Sequence, residues 1–86
     1  MPEVSRFYGI IIRFYFLEHP PAHFHAIYAE HEALIEIETG QIYQGRLPKT
    51  AFDLVNQWRL LHLQELRENW NNARNNESVQ RIAPLE

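Results

Sequence analysis

His23 and His25, one residue apart, with His19 four residues upstream, are the densest group of chemically versatile side chains in the sequence. On a strand, residues i and i+2 project from the same face, so the two imidazoles of His23-Phe24-His25 would stand side by side. The spacing His-x3-His-x-His would let His19, His23 and His25 offer three nitrogen ligands to one ion. Glu36 or Glu38 would add a carboxylate as ligand or outer partner. A single zinc or similar divalent metal is thus one expectation for this cluster. The plainer alternative is a solvated sheet face whose histidines pair with glutamates across the strand.

A second chemistry needs no cofactor, and none is expected in the leading reading. RNA is cleaved when its own 2′-hydroxyl attacks the phosphate, given a general base, a general acid and a nearby cation. His23, His25, Glu36, Tyr15 and Arg13 supply those types. His19, Tyr43, Arg46 and Trp70 are candidates for binding. A sheet's wet face must carry polar residues anyway, and acidic surroundings repel a polyanion unless Arg6, Arg13, Arg46 and Lys49 gather nearby.

The 86 residues allow one small core and a single domain spanning 1–86. Cysteine is absent, which excludes disulfides and thiolate metal sites and suggests a reducing compartment. No apolar run reaches the roughly 18–20 residues of a membrane span, so the expected location is the cytoplasm. Net charge is −3, which argues against nucleic-acid binding driven by charge alone. The charge is uneven: residues 1–45 hold two basic and six acidic side chains, whereas residues 46–86 hold six and five. Seven of the eight cations are Arg, whose planar fork suits phosphate or carboxylate. No Gly-rich phosphate loop, nucleophile elbow or helical metalloprotease motif is present.

The elements that must position these groups follow from periodicity. Residues 1–45 read as an antiparallel β-meander. Pro2–Gly9 is a strand or extended arm, and Ile10–Phe16 a strand with wholly apolar even positions. Glu18–Ala22, with Pro20-Pro21, is a non-helical loop. His23–Ala29 and Glu32–Glu38 alternate, and a turn at Glu30-His31 pairs Phe24 with Ile37, Ala26 with Ile35, His25 with Glu36 and His23 with Glu38. A turn at Thr39-Gly40 sets Ile42 beside Ile37 and Tyr43 beside Glu36.

From Pro48 the apolar period changes to three and four, predicting one long helix over 48–75, opened by a Thr50–Asp53 capping box. His62 falls on its apolar stripe, at the core edge. Arg59, Arg67, Arg74 and Arg81 read as solvated helix and tail charges. At about 40 Å the helix would outrun a seven-residue strand of about 23 Å, leaving Trp70 exposed for a partner or a second copy of the chain. An extended tail, 76–86, would dock back or reach a neighbour. The expected fold class is α+β: three to five antiparallel strands packed on one long C-terminal helix.

These stretches resemble a family of small bacterial and archaeal proteins described as domain of unknown function 4160. The likeness is carried by Ser5–Phe16, by His19-Pro20-Pro21-Ala22-His23-Phe24-His25-Ala26-Ile27-Tyr28, by Ile35–Gly40, by Gly45-Arg46-Leu47-Pro48 and by the Trp-bearing helix. Members commonly carry both prolines directly before His-Phe-His; here Ala22 intervenes. The resemblance implies a neighbouring small protein bearing domain of unknown function 2442, in an arrangement similar to a toxin–antitoxin pair with this chain as toxin. The strand-then-helix order also resembles, at fold level only, small RNA-cleaving toxins. The expected function is therefore a toxin-like component with a cognate antitoxin-like partner, RNA its candidate target. The alternatives are a non-catalytic interaction or regulatory module and a His-based metal-binding protein.

Overall fold

The structure, a computed structural model, describes residues 2–86. Five strands form one sheet in sequence order: β1 Glu3–Phe7, β2 Ile10–Arg13, β3 His23–Tyr28, β4 His31–Glu36 and β5 Ile42–Gly45. Every neighbouring pair is antiparallel, so the sheet is a simple meander. Two helices follow, α1 Lys49–Leu61 and α2 Leu63–Arg74. The α+β class and the meander agree with the sequence expectation; the single long helix does not.

The turns explain both the agreement and the differences. Tyr8 and Gly9 both have positive φ, at 51° and 79°, which closes the β1–β2 turn in two residues. The β3–β4 turn uses Ala29-Glu30, with Ala29 at φ 53°, and not Glu30-His31. The register therefore moves by two residues: His23 faces Glu36, Phe24 faces Ile35, His25 faces Leu34 and Ala26 faces Ala33. Because the shift is even, every side chain keeps its predicted face. Ile42 pairs with Ile35 rather than Ile37, and an irregularity between Leu34 and Ile35 leaves Tyr43 between the paired positions. Gly40, at φ 77°, lies against Asn56 and the Arg59 guanidinium; a Cβ there would sit 2.6 Å from the Arg59 side chain.

One face of the sheet packs on α1. Ile10, Ile12, Phe24, Ala26, Ala33 and Ile35 are buried with Ala51, Val55 and Trp58. Trp58 lies 5.4 Å from Phe7 and 5.9 Å from Phe24, centroid to centroid. Arg59, expected in solvent, is buried and donates to the Ile37 carbonyl at 2.7 Å. The capping box is absent: Pro48 is the N-cap, Thr50 lies inside the helix, and Asp53 pairs with Lys49 at 2.8 Å.

His62 breaks the helix, at φ −130° and ψ 28°. Its N–H donates to the Arg59 carbonyl, and its own carbonyl accepts from Leu66, so it closes α1 and opens α2. A straight helix over 48–75 would be about 40 Å long, beyond the molecule's longest extent of 33 Å. The break returns the second half to the fold, burying Leu66, Trp70 and Ala73. Trp70 is therefore a core residue and not an exposed docking contact. The tail docks back: Asn69 clasps the Gln80 backbone through two hydrogen bonds. Further on, Ile82 N–H donates to Val4, and the Trp58 indole donates to Ala83.

Candidate functional site

The cluster forms where six segments meet around the start of β3. His23 and His25 share one face of that strand, opposite the α1 side. Arg13, at the end of β2, is the cross-strand neighbour of His25. Beyond Arg13 the chain leaves the sheet, and Leu17 N–H donates to the Ala73 carbonyl of α2, which ties this loop to the second helix. That crossing brings Glu18 to both imidazoles. β4 supplies Glu32, β5 supplies Tyr43, and α2 supplies Trp70.

His25 lies between two carboxylates, its Nε2 2.8 Å from Glu18 Oε1 and its Nδ1 2.9 Å from Glu32 Oε2. The Tyr15 ring covers it at 4.2 Å. His23 Nε2 is 3.0 Å from the same Glu18 oxygen. His23 Nδ1–H donates to the Pro21 carbonyl at 2.8 Å; a carbonyl only accepts, which places the proton on that nitrogen. The Tyr43 hydroxyl lies 3.1 Å from the same nitrogen. Tyr43 and Trp70 wall the His23 ring at 5.2 and 5.1 Å. The side chains of His23 and His25 are 2% and 9% exposed, whereas Glu18 and Glu32 are 28% and 47% exposed. Solvent therefore reaches the cluster through its carboxylates.

Burial first, and then the Glu18 and Glu36 charges, push the Tyr43 phenol above its ordinary value and keep it protonated. The Arg13 side chain donates to no protein acceptor among the described residues, and its buried Nε is without a partner. The other cations do not gather here as unpaired charges. Arg6 is held by Glu3 and Lys49 by Asp53. Arg46 is exposed beside Glu32, whose carbonyl accepts its backbone N–H.

Of the residues singled out from sequence, the fold brings together His23, His25, Tyr15, Tyr43, Arg13 and Trp70. His19 is exposed and lies outside the cluster. Glu36 faces His23 in register, yet its carboxylate accepts from Thr39. Glu38 pairs with Arg67 of α2 at 2.8 Å, so Arg67, too, is more than a solvated charge. The expected His25–Glu36 and His23–Glu38 pairs are replaced by Glu32 and Glu18. Glu32 was within reach of sequence reasoning, since a turn at Ala29-Glu30 makes it a diagonal neighbour of His25. Nothing in the local pattern marks Glu18, whose position depends on the loop meeting α2. Glu18, His23 and His25 each offer one ligand atom, all within 4.8 Å of one another. No other group of three His or acidic residues is arranged in this way among the described residues.

Fold and site together define a small α+β protein: a five-stranded antiparallel meander, packed on α1 by one face, with a His–Glu cluster on the other, against which α2 sets Trp70. The chain belongs to the family described as Domain of unknown function (DUF4160), whose model matches residues 9–71. That span includes Arg13, Tyr15, Glu18, His23, His25, Glu32, Tyr43 and Trp70. No curated protein and no solved structure matches the chain.

Proposed function

We propose that this chain is the toxin-like member of a two-protein module and that the Glu18–His23–His25 cluster is the centre of its activity. Phosphodiester cleavage in RNA is the candidate reaction. One observation carries this reading: two buried imidazoles have all four ring nitrogens engaged by groups from two separate segments, the β2–β3 loop and β4. A sheet face needs no such network for stability, because burying polar groups is costly unless every one is satisfied. Convergent polar groups of this kind are candidates for functional sites. Arg13, without a protein acceptor, would hold a phosphate oxygen, and the protonated Tyr43 hydroxyl would donate to a developing charge. The two-protein arrangement rests on the family resemblance.

The test is inducible expression of the chain alone and with its genomic neighbour, following growth and RNA integrity. Growth arrest relieved by the neighbour is expected, and His25→Ala should abolish it while the variant still melts cooperatively. Arrest undiminished in His25→Ala, or none from the wild type, would overturn the reading.

The alternative, a non-catalytic interaction module, has its own observation. Leu60 and Leu61 stand 62% and 69% exposed at the end of α1. Such adjacent apolar side chains suit a partner surface, and they replace Trp70 as the docking candidate. If that reading holds, Leu60→Glu should disrupt a complex with the neighbouring protein while His25→Ala leaves it intact.

A further inference from the structure

Taking this cluster as the functional centre, we propose that it is a metal centre. Glu18, His23 and His25 hold one divalent transition-metal ion through the Glu18 carboxylate and the two Nε2 atoms. The inference rests on that reading for its role, but not for its geometry.

The orientation of the rings is the first argument. The outer nitrogen of each ring is already held: His23 Nδ1 by the Pro21 carbonyl at 2.8 Å, His25 Nδ1 by Glu32 at 2.9 Å. Metal-bound histidines typically donate their second N–H in this way, to a backbone carbonyl or a carboxylate. With Nδ1–H donated outward, a neutral imidazole carries its lone pair on Nε2. Both Nε2 atoms then point at one oxygen, Glu18 Oε1, from 3.0 and 2.8 Å. Three electron-pair donors face each other, an arrangement that requires positive charge between them. One divalent ion satisfies all three, whereas protons would have to be supplied twice. Bonds of about 2.1 Å to one ion set neighbouring ligand atoms roughly 3–3.5 Å apart; the two Nε2 atoms lie 3.0 and 2.8 Å from Glu18 Oε1, and all three ligand atoms are within 4.8 Å of one another.

The surroundings fit the same conclusion. Tyr15 covers His25, and Tyr43 with Trp70 covers His23. Glu18 is 28% exposed, so solvent reaches the three ligand atoms from the carboxylate side. Two imidazoles and one carboxylate leave coordination positions open, the pattern of a catalytic rather than a structural site. Nitrogen ligands favour zinc and its first-row neighbours, while magnesium and calcium prefer oxygen. A dication also offsets Glu18, Glu32 and Glu36, whose charges otherwise repel a phosphate. Beside Arg13 it would make the cluster attractive to the anionic substrate proposed above.

The test is a zinc titration of the full chain, untagged and stripped with chelator, followed by calorimetry and thermal melting, with magnesium as comparator. One zinc per chain and a raised Tm are expected, with no response to magnesium at the same concentration. Glu18→Ala should lose stoichiometric binding. Glu32→Gln should weaken it by about 10–100-fold, and His19→Ala should bind like the wild type. Because buried histidine variants can misfold, Glu18→Ala carries the decision, its metal-free fold checked by circular dichroism. No stoichiometric uptake by folded wild type would overturn the proposal, as would undiminished binding by Glu18→Ala or loss of binding in His19→Ala. A chain that binds zinc yet never arrests growth would keep this inference and end the toxin reading. Growth arrest by a chain without zinc affinity would do the reverse.

Discussion

At the scale of single residues, the cluster departs from the usual composition of a small protein's interior. His23 is 2% exposed and Asn69 1%; His23 is kept inside by the Pro21 carbonyl and Glu18, and Asn69 by the backbone of Gln80. His25 has no backbone partner and depends on Glu18 and Glu32. Tyr43 makes a direct prediction. Its phenol is held above the ordinary 10.0 by burial and by Glu18 and Glu36. A raised value means that the folded state favours the neutral phenol, so any stability it contributes is complete below pH 10.0 and lost as pH rises through the folded value. In an absorbance titration of phenolate formation, Tyr43→Phe should remove a component titrating above 10.0. Loss of a component at or below that value would contradict the environment described for the site.

At the scale of elements, the loop between β2 and β3 and the break at His62 act together. The break turns α2 toward that loop, the Ala73 carbonyl accepts from Leu17, and Glu18 is thereby set over both imidazoles. Apolar periodicity runs through the break without a change of phase, since Trp58, His62 and Leu66 are each four apart. No Gly or Pro marks it, which is why a single helix is the natural reading of this stretch. The tail depends on one side chain in the same way. Asn69→Ala removes both hydrogen bonds to Gln80. It should cost about 1–3 kcal/mol in urea denaturation and make the residues after Gln80 more sensitive to protease. Unchanged stability and protection would mean that Ile82 and the Trp58–Ala83 bond hold the tail alone.

For the molecule as a whole, acid stability follows from its surface pairs. Arg6 beside Glu3, and Arg67 beside Glu38, hold both carboxyls below their ordinary 4.5. A lowered value means that the stabilisation is present above 4.5 and lost as pH falls through the folded values. Both carboxyls are solvent-screened, so the effect should be small and should shrink in high salt. The Tm is expected to decline between about pH 5 and pH 3, and Glu38→Gln should flatten part of that decline. An identical profile would show that the Glu38–Arg67 pair between the turn after β4 and α2 does not contribute. Among the described residues, no helix is long and apolar enough to cross a membrane.

Much of the fold was legible in the sequence because the signals are local. Alternation along His23–Tyr28 put both histidines on one face and Phe24 with Ala26 on the other, and this survived a two-residue error in register because the strand period is two. Three- and four-residue spacing likewise identified the buried stripe from Ala51 to Ala73. The site's histidines were therefore evident from sequence, but their partners were not. Glu32 required the β3–β4 turn to be placed at Ala29. Glu18 required a loop to be carried onto the imidazoles by contact with a helix more than fifty residues further along the chain. Strand and helix faces are set by the spacing of neighbouring residues. Register, the break at His62, the burial of Trp70 and the choice of carboxylates are set by which distant surfaces can be buried together, and only the tertiary structure decided them.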